Sequence, residues 1–244
     1  MNDWRILAKI SECSSLASLQ APLLLAIGTF IINFSPFADD QEFPTIILAA
    51  GASSRMGRSK ALLPLAFQQG ILLDRAIDLG RSLSRDVRVV CGAGYPLIRF
   101  RCSAQPSAWI KAPDWQEGLA ASLVAGIASV GPKAKGVFIL LADQPMLDIA
   151  SLRAFGEAAR FLPGQPLAAD YNGRPGVPAY LPRWLWPELL TLTGDRGAGG
   201  VLAEVAATRV DIPGVHDDVD TPEDWYRIKY RLSQTGQPTR QSRR

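Results

Sequence analysis

The chain has 244 residues, 48% hydrophobic and 20% charged, with a net charge of +3; this is enough for one large globular domain with a buried core and excludes collagen-like and low-complexity classes. Part of the positive charge sits at the end, in Arg240, Arg243 and Arg244, and no basic stripe interleaved with aromatics predicts a nucleic-acid partner. Three cysteines, Cys13, Cys91 and Cys102, form no CxxC pair and read as reduced thiols of a cytoplasmic protein, while a single histidine, His216, excludes a His-dependent triad or a multi-His zinc site.

Residues 1–43 differ from the rest. Ala21–Phe34, APLLLAIGTFIINF, is apolar and uncharged, but short for a membrane span. Asp3 and Glu12 spoil the basic region that would precede a signal-peptide core. We expect an N-terminal extension that is a packing helix or lies upstream of the true start of translation, with no membrane partner. The catalytic domain is expected over residues 44–232.

From Pro44 onward, short apolar runs alternate with helical stretches. Thr45–Ala49 reads as a strand buried on both faces. Leu72–Leu83 has apolar residues at helical spacing, with Asp74, Arg75, Asp78 and Arg81 interspersed. Asp86–Cys91 and Ser107–Lys111 read as strands, and Leu119–Val130 as a helix lying on a sheet. Val137–Ala142 is a buried strand cut short by Asp143-Gln144-Pro145, and Ile149–Phe161 is helical. Two short strands are predicted around Leu167–Asp170 and Val177–Leu181. Helices follow at Pro187–Leu192 and Ala198–Ala207, then a strand at Arg209–Ile212. The last helix runs from Pro222 to about Leu232, with Thr221 as N-cap and Glu223 and Asp224 favouring its dipole. Residues 233–244 are predicted to be a disordered basic tail.

Strands separated by helices specify a three-layer, Rossmann-like α/β fold with a mostly parallel central sheet. Ligands of such sheets bind beyond the carboxyl ends of the strands. That rule singles out the loops after Ala49 and Ala142 and the loop around Asp218.

In the first loop, Gly51 and Gly57 allow main-chain N–H groups to converge on phosphate oxygens. Ser53 and Ser54 add hydroxyl donors, Arg55 a guanidinium fork and Lys60 a mobile charge. The spacing matches neither the Walker pattern nor the dinucleotide fingerprint. A glycine pair alone would be an ordinary turn; the combination with serines, Arg and Lys after a buried strand points to phosphate binding.

Leu48–Lys60, LAAGASSRMGRSK, resembles the LAAGxSxRMGxxK signature of the MobA-like nucleotidyltransferases. Five later segments resemble that family's motifs in order: Trp115-Gln116-Glu117-Gly118 with Ser122-Leu123, Leu141–Pro145, Gly173–Pro178, Gly194–Ala198 and Asp218–Asp224. The resemblance spans roughly residues 44–230 and implies the nucleotidyltransferase fold. It assigns the nucleotide to Leu48, Ala49, Ala50, Gly51, Ser53, Ser54, Arg55, Met56, Gly57 and Lys60, together with Gly118 and Ser122. It places Mg²⁺ on Asp143 and on Asp218 or Asp220, and the acceptor near Arg174, Pro178, Asp195 and Arg196. Arg55, Lys60 and Asp143 become the catalytic set. On the residues alone, Asp143 could also be the N-cap of the next helix, while Arg174 and Arg196 read equally as plain surface arginines and Gly118–Ser122 as an ordinary helix start.

The resemblance implies attack by a terminal phosphate of the acceptor on the α-phosphorus of a nucleoside triphosphate, with pyrophosphate leaving in line. Positioning and charge neutralisation suffice for that chemistry, with no nucleophilic Cys and no His base. Ala50, giving LAAG, resembles the branch that transfers CMP from CTP to molybdopterin-type molybdenum cofactor; the guanylyl branch reads LAGG. Val177 and Gly199-Gly200 depart from residues frequent in the family. Other readings stay open: GTP as donor, another phosphorylated small molecule such as a sugar phosphate as acceptor, an accessory protein that hands cofactor to a molybdenum hydroxylase or its chaperone, or an oxidoreductase on the same scaffold.

Overall fold

The computed structural model describes residues 41–51, 56, 57, 59–65 and 70–235. The expectations for residues 1–40, for Ser53, Ser54 and Arg55, and for residues 236–244 lie outside the described residues.

Seven strands form one sheet: β1 (Thr45–Ala49), β2 (Val87–Cys91), β3 (Ala108–Lys111), β4 (Gly136–Leu141), β5 (Leu167–Tyr171), β6 (Arg174–Pro182) and β7 (Thr208–Val210), in the order β3-β2-β1-β4-β6-β5-β7. β1 pairs in parallel with β2 and β4, β2 with β3, and β5 with β7. β6 alone runs antiparallel, against both β4 and β5. The predicted mostly parallel α/β sheet is thus the observed one, with a single reversed strand.

The central strands are continuously apolar because both faces are covered. Ile47, Val89, Phe138 and Leu140 enter one core with Leu73, Ile77 and Phe155. Their alternating neighbours Ile46, Leu48, Val90 and Ile139 enter another with Leu123, Ile127, Leu181 and Val201. The period of two along each strand sends successive side chains to opposite layers. The first layer is built by α1 (Leu72–Leu83) and α4 (Ile149–Phe161); the second by α3 (Leu119–Ala128), α5 (Trp186–Leu189) and α6 (Ala198–Glu204). A third, small core joins Met56, Leu63 and Leu72 to Val219, Ile228 and Leu232.

Local signals account for the helix ends. Asp148 caps α4 by accepting from Ser151 N at 2.7 Å. Before α7 (Pro222–Thr235), Thr221 Oγ1 accepts from Asp224 N at 3.2 Å while Thr221 N donates to Asp224 Oδ2 at 3.0 Å. These reciprocal bonds satisfy two otherwise orphaned donors. α7 continues to Thr235, beyond the expected end at Leu232, since Ser233 and its neighbours carry no helix breaker; Ser233 Oγ donates to Tyr230 O at 2.6 Å. A five-residue helix, α2 (Leu97–Arg101), was not predicted, being too short to show a period. Asp74, expected among the interspersed polar positions of its helix, is buried. There Oδ1 accepts from Ser103 N at 2.8 Å and Ala104 N at 2.7 Å, tying the chain after α2 to α1. Among the described residues no helix is long and apolar enough to cross a membrane.

Candidate active site

The carboxyl ends of β1 and β4 are adjacent, because β1 pairs with β4 as far as Leu48↔Leu141. The chain leaving β1 continues into Ala50 and Gly51; the chain leaving β4 into Ala142 and Asp143, with Ala142 N donating to Leu48 O at 3.2 Å. A third segment is drawn in by the main chain. Val219 N donates to Asp143 O at 3.0 Å, so the two candidate carboxylate loops share a backbone hydrogen bond. Gly214 makes a second join: with φ +88°, it lies where an added Cβ would fall 2.1 Å from Met146 O, so only glycine permits this approach.

Lys60 spans the carboxylates. Its Nζ lies 2.6 Å from Asp220 Oδ1 and 3.3 Å from Asp143 Oδ2. Burial by itself would lower the Lys60 pKa, but the Asp220 hydrogen bond and the Asp143 charge outweigh it and hold the ammonium above its ordinary range. Asp143 shifts upward because burial disfavours its charge more than Lys60 restores it. Asp218 is pushed up to about 6, first by burial; a hydrogen bond from Gln144 opposes this and the Asp143 and Asp220 charges add to it. Asp143 does not cap α4, a role Asp148 fills.

Two buried carboxylate oxygens, Asp143 Oδ1 and Asp218 Oδ1, have no hydrogen-bond partner. An orphaned buried acceptor is costly unless a cation meets it, and hard oxygen donors suit a divalent ion whose remaining positions go to phosphate and water. The donor set fits such an ion. Among the described residues no three His, Cys, Asp or Glu side chains converge into a complete cage, so phosphate oxygens would have to supply part of the shell.

The other predicted residues divide. Leu48 is 8% and Ala50 3% exposed, and both pack in the second core. Met56 is 8% exposed and packs in the third core. Gly57 has φ +63°, a left-handed conformation that favours glycine, and Gly51 is exposed. Gly118 is the N-cap of α3 with φ +111°; a Cβ there would lie 2.4 Å from Gly194 O. Ala120 N donates to that same oxygen at 3.0 Å, locking the segment expected to border the nucleotide onto the one expected to border the acceptor. Ser122 is buried on α3. Arg174, Asp195 and Arg196 are exposed, but Pro178 is buried, and its neighbours Pro175, Gly176 and Val177 line a cavity in its place.

Sequence reasoning missed Gln144 and Tyr171. Gln144, 1% exposed, donates from Nε2 to Tyr171 Oη at 2.6 Å, and Tyr171 Oη donates to Val177 O at 2.6 Å. Burial, then the Asp218 charge, push the Tyr171 hydroxyl up to about 12, so it remains a donor. The hint was present in Gln144, a polar residue following a buried strand. Arg75 is a further such residue: its Nε donates to Pro145 O at 3.1 Å and fixes the turn after Asp143. Cys91 and Cys102 are buried free thiols, with Cys91 raised to about 12 by burial, and neither adjoins the carboxylates as a nucleophile.

The MobA-like NTP transferase domain matches residues 45–210. The purine catabolism protein PucB of Bacillus subtilis (strain 168) is 29% identical over 212 residues, covering 77% of this chain and 96% of that protein. The molybdenum cofactor cytidylyltransferase of Escherichia coli (strain K12) is 28% identical over 193 residues, covering 78% and 96%. The crystal structure of Rv0371c from Mycobacterium tuberculosis H37Rv superposes with a TM-score of 0.67 at 25% identity, covering 79% of this chain and 100% of that one. The same protein has also been solved in complex with manganese.

Proposed function

Since this chain belongs to the MobA-like NTP transferase family, we propose that it is a nucleotidyltransferase that moves CMP from CTP to molybdopterin-type molybdenum cofactor. The observation that carries the transfer chemistry is the pair of orphaned carboxylate oxygens of Asp143 and Asp218, gathered beyond β4 beside the Lys60 ammonium. The relative named as a molybdenum cofactor cytidylyltransferase, matched over 96% of its length, supports the choice of CTP and acceptor. Ala50 in place of glycine leans the same way.

In the reaction, an oxygen of the acceptor's terminal phosphate attacks the α-phosphorus of CTP. The bond from that phosphorus to the bridging oxygen breaks, and pyrophosphate leaves. Both partners are anionic, so the protein's task is to hold them in line and offset charge. Lys60 is placed for the second task, and we assign Arg55 to it as well. Main-chain N–H groups of the loop after β1 would cradle phosphates. Asp143 and Asp218 would hold Mg²⁺, which when bound polarises phosphate oxygens as a Lewis acid; the manganese complex of Rv0371c supports a divalent ion in this fold. Arg174, Asp195 and Arg196 would face the acceptor side. The domain doing this work is residues 44–232.

A nucleotide panel with purified molybdenum cofactor, reading pyrophosphate, tests the reading. Release is expected only with Mg²⁺, CTP and cofactor together. Equal turnover with GTP would overturn the cytidylyl assignment. Tight CTP binding without pyrophosphate would make the protein an accessory carrier instead.

A further inference from the structure

Gln144 follows Asp143 in the turn after β4, and it is buried, with 1% of the residue exposed. Its Nε2 lies 2.6 Å from Tyr171 Oη, 3.3 Å from Val215 O and 3.4 Å from Val177 O. The two main-chain oxygens can only accept, so the amide must turn its N–H side towards them; reversed, it would set carbonyl against carbonyl. Tyr171 Oη accepts from Gln144 and donates its own proton to Val177 O at 2.6 Å. One side chain thus joins the turn after β4 to β5, to β6 and to the loop before α7.

That loop is pinned on both sides of Asp218. Val215 O accepts from Gln144 Nε2, and Val219 N donates to Asp143 O at 3.0 Å. The Asp218 carboxylate, lying between these ties, also takes a hydrogen bond from the Gln144 amide. All of these ties end on one dipeptide, Asp143-Gln144. The side chain at 144 therefore shares with the main chain the task of setting Asp218 against Asp143.

The chemistry of an amide suits that task. A Lys or Arg at this position would hold Asp218 but neutralise it and compete with a divalent ion. A Glu would lose the donors and add negative charge to a cluster that already holds Asp143, Asp218 and Asp220. An uncharged donor holds the carboxylate and leaves its charge for the ion, as the partners of metal-binding carboxylates do. We propose that Gln144 is the positioning residue of the carboxylate pair, and that with Tyr171 it fixes Asp218 against Asp143 and so sets how tightly the pair holds a divalent ion. The inference rests on the reading of Asp143 and Asp218 as ligands and deepens it.

The test is Mn²⁺ binding to the full chain without nucleotide or acceptor, read by calorimetry and by the electron paramagnetic resonance spectrum of the bound ion. Gln144→Met keeps the length of the side chain and removes its donors. It should weaken Mn²⁺ by about tenfold or more and alter the spectrum of the bound ion. Tyr171→Phe keeps the ring that meets His216 edge-on at 5.3 Å and removes only the hydroxyl. It should weaken Mn²⁺ several-fold, and it keeps the test decisive if the methionine variant misfolds. The double variant should bind no worse than Gln144→Met alone, because both changes cut the same relay. A merely structural part for Gln144 would lower the melting temperature and leave the Mn²⁺ affinity and spectrum of the folded protein as in the wild type. That result overturns the inference and leaves the carboxylate reading standing. Additive losses in the double variant would overturn it too, since Tyr171 would then act apart from Gln144. A wild-type chain that binds no Mn²⁺ overturns the carboxylate reading and this inference together.

Discussion

At the scale of residues, the site holds charge under tension. Asp218 titrates near 3.8 in an unfolded chain and at about 6 when folded. Between those values the folded protein keeps a proton that the unfolded chain has released, so this group's contribution to stability falls as pH rises from about 4 to about 6. Asp218→Asn should remove that slope: its stability relative to wild type should rise across the window, read by urea unfolding at several pH values without divalent ions. The same shift has the opposite consequence for a bound ion. Mg²⁺ affinity should increase as pH rises through about 6, because the ion needs the ionised carboxylate. Asp143→Ala should lower turnover by about a thousandfold or more, with the melting temperature changed by only a few degrees. Unaltered pyrophosphate release in that variant would remove Asp143 from the proposed machinery. Asp143, Asp218 and Lys60 were all legible in the sequence as motif residues. Gln144 and Tyr171 were not, since their value lies in a hydrogen bond between residues 27 apart in the chain.

Between elements, the site depends on close main-chain contacts that side-chain patterns do not announce. The Val219–Asp143 hydrogen bond and the Gly214–Met146 approach hold the last loop on the turn after β4. Gly214→Ala adds a Cβ at a left-handed φ and against a carbonyl oxygen. It should cost about 2 kcal/mol of stability, measured by urea unfolding, and weaken Mn²⁺ binding measured by calorimetry. Wild-type Mn²⁺ affinity in a stably folded Gly214→Ala protein would show that this contact does not position the carboxylates. Helices with full apolar periods, such as Leu72–Leu83 and Ile149–Phe161, were readable to the residue. β6 was predicted short, as Val177–Leu181, and spans Arg174–Pro182, because Arg174, Pro175 and Gly176 carry no alternation and are held only by pairing with β5. The helix predicted at Ala198–Ala207 stops at Glu204, where Ala206 turns to φ +50° and the chain bends into β7.

For the whole molecule, a bound nucleotide should stabilise the fold in proportion to its fit. CTP with Mg²⁺ at a hundred times its Kd should add about 2.7 kcal/mol, seen as a raised melting temperature, and GTP at the same concentration should add much less. Equal shifts would argue against cytidine selectivity. The sequence by itself determined the composition of the layers, since runs such as Ile46–Ala49 and Val137–Leu141 are apolar at every position and must be covered on both faces. It also determined the family, through motifs in fixed order. Only the tertiary structure decided that β6 is reversed, that Lys60 reaches Asp143 and Asp220 across 83 and 160 residues, and that Val177 and Gly199 share one apolar cavity. Local periodicity fixes which face of an element is buried. Strand direction and the neighbours of a buried face are set by packing energies summed over distant parts of the chain, and no local pattern encodes them.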